Sequence, residues 1–230
     1  MAATAPPAPH HRHSARSFAD GLRAGMPFAV AGGLFSFTFG VTARPLIGDL
    51  PAIVMSAIVF AGASQFAALA VLAAGGGPLT AVLVGALVNL RFVPMGISIA
   101  PFVRGGAIGR ATRSQAIADP SWVMARRPDG RYDIDFMTGA TAVQYATWVA
   151  GTALGVAVGP LLGDTRALGL DAVFPAFMLG LLASELRRPG ARAVAAAGAA
   201  IAIVLTPVVP SGLPIVAATA ATLVGVRGRA

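Results

Sequence analysis

Cysteine and lysine are both missing from the 230 residues. Without cysteine there are no disulfides, no thiolate metal sites and no cysteine nucleophile. Charge is scarce: 11% of residues are Asp, Glu, Lys or Arg and 56% are hydrophobic, whereas an ordinary soluble domain carries roughly 25% charge. That balance argues against a water-soluble globule. Also missing are a Walker sequence, an HExxH, a GxSxG and any acidic cluster with metal spacing. His10, His11 and His13 stand in a Pro-rich tail with no further ligands near them, so neither a metal nor a cofactor is expected. No Asp or Glu sits deep in an apolar segment, since Asp171 and Glu185 lie at segment ends. A buried-carboxylate proton relay is therefore not visible.

What the chain has instead is a series of apolar stretches, over 26–43, 50–74, 79–103, 136–162, 172–183, 191–205 and 213–226. Each is long enough, or nearly so, to cross a hydrocarbon core that needs about 20 helical residues. The expected fold is an all-α polytopic membrane protein with six to seven transmembrane helices, some broken. Residues 1–25 form a polar tail, 26–103 a first membrane half, 104–136 a polar cytoplasmic loop and 137–230 a second membrane half. The tail could pass for the start of a signal peptide, but the apolar run after it exceeds a typical h-region, so cleavage is not expected.

The division into halves rests on a repeat. Residues 37–49 read FTFGVTARPLIGD, and 115 residues later 152–164 read TALGVAVGPLLGD, matching at Gly, Val, Pro, Leu, Gly and Asp without a gap. Coincidence in a Gly/Ala-rich chain is the plain alternative; internal duplication is common in transporters. Gly151, Gly155, Gly159 and Gly163 recur every fourth residue, as do Gly32, Ser36 and Gly40. Small-residue stripes of this kind let helix backbones approach closely in lipid. They are read as packing faces, with a substrate-lining face as the other option.

Arginine records sidedness, and two threadings compete. If every apolar stretch spans once, the loops divide the arginines 12 against 4 and the N-terminus lies outside. If 79–103 enters and returns on one side, the division is 14 against 2, both Gly-Asp turns share a face and the N-terminus lies inside. Both place 104–136, with its six arginines, in the cytoplasm.

The chemistry concentrates in ALVNLRFVPMGISIAPFV at 86–103, where Asn89 and Arg91 interrupt an apolar run. An intramembrane Arg costs roughly 2.5–3.5 kcal/mol on insertion scales and normally faces a cavity, an anion or an acidic partner. On a regular helix, positions 89 and 91 point about 200° apart. Pro94 cannot donate to the Leu90 carbonyl and pushes Val93 out of helical geometry, so a helix break is expected just after the pair. Freed carbonyls beside an amide and a guanidinium suit a zwitterion, with Arg91 on the carboxylate and Asn89 with the carbonyls on the ammonium. The alternative is a structural pairing of Arg91 with Asp119 or Glu185. A second polar pair, Ser64 and Gln65 in FAGASQFAAL, lies mid-segment, with Gly62 one turn before Gln65. It is read either as substrate-binding or as interhelical glue. Ser56, Gln144, Tyr145 and Trp148 are weaker candidates.

With FAGASQFAAL at 60–69, NLRFVPMGISIAP at 89–101, IADPSWVMA at 117–125 and GLRAGMPFAVAGGLFSFTFGV at 21–41, the sequence resembles the AzlC-like large subunits of two-component branched-chain amino-acid exporters. Where that family usually has an acidic pair in the loop, this chain reads Asp119, Pro120. The resemblance implies a secondary transporter that exports leucine, isoleucine, valine or a similar small apolar amino acid across the inner membrane. It also implies a separately encoded small AzlD-like partner subunit. The rival expectation is a non-transporting assembly or regulatory subunit in which Arg91 is structural. An enzyme is not expected.

Overall fold

A computed structural model of the chain describes residues 15–163, 169, 172, 176, 179, 182, 183, 186, 187, 190–209, 213–218 and 221. His10, His11, His13, Asp171, Glu185 and most of the 172–183 stretch lie outside them. The described residues form ten α-helices: α1 Ala15–Ile47, α2 Asp49–Val59, α3 Gly62–Ala73, α4 Pro78–Asn89, α5 Phe92–Ile99, α6 Ala107–Ser114, α7 Asp119–Met124, α8 Ile134–Val158, α9 Ala191–Leu205 and α10 Leu213–Ala218. Short 3-10 turns follow α5 and α8, and no strand is formed among the described residues. The all-helical class is as expected.

The apolar stretches do not become a matching set of long rods. Among the described residues α1 alone joins length to apolarity over Ser17–Ile47, and α4 with α5 adds a second crossing only if that bent pair is counted as one. The 50–74 stretch, read from sequence as one segment, is two helices. Phe60 turns the chain left-handed (φ 41°) and Ala61 is extended (φ −144°, ψ 89°), which ends α2 and restarts the chain as α3. Phe60 is the one non-glycine residue at positive φ among those described, a conformation costing roughly 1–2 kcal/mol that neighbouring contacts must offset. The first helix also begins earlier than its apolar run. It is helical from Ala15, because Phe18, Gly21, Leu22 and Gly25 already pack on another helix.

The chain divides into two compact units, both of which draw on α1 and α8. In the first (Met1–Phe28 with Met95–Val143), the start of α1 runs parallel to the start of α8. A Cβ on Gly21 would overlap the Phe136 carbonyl, one on Gly25 the Ala140 carbonyl, and one on Gly139 the Phe18 carbonyl. Backbone contact of this kind supplies the van der Waals packing that lipid cannot. The polar insertion folds over Ile99, Val103, Ala116, Ala125, Ile134 and Met137. Ser121 is its knot: Thr141 Oγ1 donates to Ser121 Oγ (2.7 Å), and Trp122 Nε1 donates to Ser98 Oγ (3.0 Å).

Asp133 caps α8, accepting from Phe136 N (3.1 Å), from Ser17 Oγ at the start of α1 (2.6 Å) and from Arg127. Burial pushes the Asp133 carboxyl up, but the Ser17 hydroxyl, the Arg127 guanidinium and the Phe136 N–H outweigh it and hold the carboxyl below the usual aspartate range.

In the second unit (Ala29–Pro94 with Gln144–Ala230), the remainders of α1 and α8 also run parallel. A Cβ on Gly151 would overlap Ser36 and Gly33, one on Gly155 the Phe37 carbonyl, and one on Gly40 the Thr152 carbonyl. The expected glycine stripe is thus a packing face at Gly151 and Gly155, looser at Gly159, where Val41 lies 3.5 Å away. Gly163 is not part of it. It lies beyond the helix at φ 65°, and among the described residues nothing stands within 4 Å of a Cβ placed on it, because α8 and its 3-10 turn end before it.

Phe39, Ala43, Ala52, Phe66, Leu69 and Val156 form the core of this unit, with the Phe39 and Phe66 rings edge to face at 5.5 Å. The α3–α4 hairpin buries Ala68, Val71, Ala81 and Val84. It turns on Gly75 (φ 79°), with Gly76 N donating to Val71 O and Gly75 N to Leu72 O, the Schellman pattern in which glycine relieves the left-handed strain.

Candidate functional site

Gln65 is fully buried and held at both ends of its amide. Its Nε2 donates to Ser56 Oγ (2.9 Å), and its Oε1 accepts from Trp148 Nε1 (3.1 Å). Ser56 Oγ in turn shares a 2.7 Å hydrogen bond with Thr152 Oγ1. In an unbroken helix residues 56 and 65 would be about 13.5 Å apart along the axis and on opposite faces. The break at Phe60–Ala61 is what lets them meet.

The face of α8 that carries Tyr145, Trp148 and Thr152 covers this break. Tyr145 OH donates to the Ala57 carbonyl (2.9 Å), satisfying one of the acceptors that the end of α2 leaves open. Phe60 packs edge-on against the Tyr145 ring (5.1 Å) and the Trp148 ring (6.4 Å). Gly62 makes room for the indole, since a Cβ there would stand 2.5 Å from Trp148 Cη2. On the other side, Ser64 Oγ and Gln65 N both donate to the Ala61 carbonyl (2.9 and 3.0 Å). Among the described residues no acceptor meets the N–H groups of Gly62, Ala63 and Ser64. The first turn of α3 therefore presents donors and the positive end of a helix dipole.

The sequence-predicted break near Asn89 and Arg91 is present but displaced. The chain bends by 43° between α4 and α5, and Leu90–Arg91 is the break itself rather than the residues after the pair. Pro94 sits in the first turn of α5, where a missing N–H is tolerated, and its ring clash at position i−4 falls on Leu90. The Leu90 carbonyl is not freed, because Val93 N donates to it at 3.1 Å. Arg91 lays its guanidinium over the Phe92 ring at 4.9 Å. Asn89 Oδ1 is buried with no hydrogen-bond partner among the described residues.

The two breaks are neighbours in this unit. Gly85 of α4 packs on Ser64, 3.5 Å from its carbonyl to a Cβ position, and the hairpin is antiparallel. One turn beyond Gly85, Asn89 therefore lies on the side of the Phe60–Ala61 break. No hydrogen bond joins Ser64 or Gln65 to Asn89 or Arg91.

Of the residues joined here, Gln65 is a candidate from sequence, Ser56, Tyr145 and Trp148 are weaker ones, and Thr152 is not among the candidates. The available signal was the i, i+3, i+7 spacing of 145, 148 and 152, which puts all three on one helical face. No group of three or more His, Cys, Asp or Glu that could hold a metal occurs among the described residues.

Comparison with known proteins places these features in a family. Residues 27–162 match the family described as AzlC protein, a span containing both breaks, the polar insertion and most of the α1–α8 interface. The chain is 31% identical over 193 residues to a protein of Archaeoglobus fulgidus described as an uncharacterized membrane protein, covering 83% of this chain and 85% of the relative. It is 30% identical over 205 residues to the inner membrane protein YgaZ of Escherichia coli, covering 83% of this chain and 82% of the relative. It is 28% identical over 153 residues to the branched-chain amino acid transport protein AzlC of Bacillus subtilis, covering 65% of this chain and 58% of that protein. No solved structure matches. On the family match and these two longer relatives, the chain belongs to the AzlC family of membrane proteins.

Proposed function

We propose that the chain is a secondary transporter that exports branched-chain or similar small apolar amino acids across the inner membrane, in company with a small AzlD-like membrane subunit. The observation that carries this reading is the α2–α3 break, with Gln65 locked by Ser56 and Trp148 beside it. A zwitterion needs a donor end and an acceptor end a few ångströms apart. The open N–H groups at Gly62, Ala63 and Ser64 suit a carboxylate, and the carbonyl end of α2 suits an ammonium. Arg91 and Asn89 supply a guanidinium suited to a carboxylate and an open amide acceptor at the neighbouring break. The name of the Bacillus subtilis relative gives the substrate class.

Two related halves, arranged in parallel, are part of the same proposal. The contacting pairs Gly21/Phe136, Gly25/Ala140 and Ser36/Gly151 are each 115 residues apart, the period of the sequence repeat. Gly48 (φ 86°) and Gly163 (φ 65°), also 115 apart, both take positive φ just before an Asp in the sequence. A parallel arrangement favours the threading with 14 arginines against 2, because Ser17 and Asp133 join the start of α1 to the six-arginine insertion. The N-terminus is then cytoplasmic, and α4–α5 or α2–α3 enters and returns on one side.

The test is efflux of labelled leucine from proteoliposomes holding the chain with and without the small subunit. Leucine-dependent efflux that requires this chain is the expected result. Undiminished efflux by the small subunit alone would instead make this chain an assembly subunit.

A further inference from the structure

We propose that α6 (Ala107–Ser114) is a surface helix that docks on anionic lipid headgroups, anchored by Arg104, Arg110 and Arg113 and seated by Ile108.

Charge is the first support. From 103 to 118 the chain holds three arginines and no acidic residue. Elsewhere in the polar insertion Arg127 and Arg131 pair with Asp133 and Asp129. Arg104, Arg110 and Arg113 make no ion pair with an acidic side chain among the described residues. Arg113 Nη1 instead donates to the Arg104 carbonyl (2.5 Å), which draws the helix back against the end of the preceding apolar segment and gathers the basic residues.

Exposure is the second. Every residue of α6 except Arg113 is exposed, and Ile108, the one large aliphatic side chain on it, is 84% exposed. Ile108 and Ala111 at i, i+3 share one side of the helix; Arg110 and Arg113 at i, i+3 share the other. Position is the third. The chain leaves the apolar α5 and its 3-10 turn at Phe102, and α6 begins five residues later, where a membrane protein meets the headgroup layer.

A short helix with one aliphatic face, an arginine face and no acidic counter-charge suits the boundary between acyl chains and anionic headgroups. There the aliphatic side inserts shallowly and the guanidinium groups reach phosphate. Arginine suits this task because its planar fork donates two parallel hydrogen bonds to phosphate oxygens.

The absence of cysteine makes the test direct. Ala111→Cys in the full chain, labelled with an environment-sensitive fluorophore, is placed in nanodiscs of phosphatidylcholine alone or with phosphatidylglycerol; Pro128→Cys is the control. A shift to shorter wavelength at 111 only in the phosphatidylglycerol discs is expected. It should be reversed in 1 M salt, where the Debye length is about 3 Å, and lost in Arg104→Gln/Arg110→Gln, which keeps the Arg113 tether. Identical emission at 111 in both lipids overturns the proposal. So does a shift that survives salt and the double substitution, which would give α6 a protein surface in place of lipid.

Discussion

Gln65 and Ser56 are nine residues apart and hydrogen-bonded at 2.9 Å, a pairing that a continuous helix forbids and that Trp148 and Thr152 complete from another helix. The amide thus reports on the integrity of the break, and replacing it separates a binding role from glue.

Gln65→Leu removes both bonds and leaves the Trp148 indole N–H and Ser56 without their amide partner, which costs about 1–3 kcal/mol. Leucine efflux should fall at least about tenfold, the equivalent of 1.4 kcal/mol, with thermal unfolding in detergent lowered as well. Trp148→Phe keeps the ring and drops only the Oε1 bond, so it should lose less of both. If the two variants unfold earlier but transport like the parent, Gln65 is glue.

Arg91→Ala should abolish export while leaving insertion and expression unchanged, because the guanidinium is costly within an apolar run and is retained for a site. Arg91→Lys should rescue poorly, since a point charge does not reproduce a bidentate fork. Efflux rates normalised to protein in the membrane decide it. Normal export by the alanine variant removes Arg91 from the site.

The α1–α8 interface predicts a position-specific tolerance. Gly155→Ala drives a methyl into the Phe37 carbonyl and should cost about 1–3 kcal/mol, whereas Ala157→Leu on the exposed side of the same helix should be nearly neutral. Gly163→Ala meets no neighbour among the described residues, so the cost expected there is left-handed strain of roughly 1–2 kcal/mol. Thermal shifts of the three variants in mild detergent test the order, and equal losses at 155 and 157 would remove the packing face.

The Asp133 clasp carries a pH signature. Its carboxyl is held below the unfolded value, so the clasp contributes stability that is fully present above the ordinary aspartate pKa and lost as pH falls through the depressed one. Asp133→Asn should flatten the stability profile across that acid window and lower stability at neutral pH. Parallel profiles for parent and variant would mean that Ser17 and Arg127 do not hold the ionised form.

Sidedness is testable with single cysteines because there is no background to remove. Probes at 129 and 190 should resist an impermeant thiol reagent outside intact cells, and one at 47 should react. Protection at position 8 is expected from the Ser17–Asp133 bond, which ties the start of α1 to the arginine-rich insertion. Labelling at 8 restores the threading with the N-terminus outside, and labelling at 129 refutes both threadings.

Composition by itself argued against a water-soluble globule, and the length of the uninterrupted apolar runs pointed to helices, which satisfy their backbone groups within one segment, rather than to the alternating strands of a closed barrel. Sequence also located one break to within two residues, since Pro94 constrains the three or four residues before it through covalent geometry alone. It located the close approach at Gly151 and Gly155, where only a missing Cβ fits.

The other break was not legible. Phe60 and Ala61 carry no breaking tendency of their own, and the left-handed turn is held by rings and a tyrosine hydroxyl from a helix some 85 residues further along. The same holds for the partners of Gln65 and for the parallel register of α1 on α8. Local propensity acts within a few residues, whereas those choices depend on side chains that meet only once distant segments have packed.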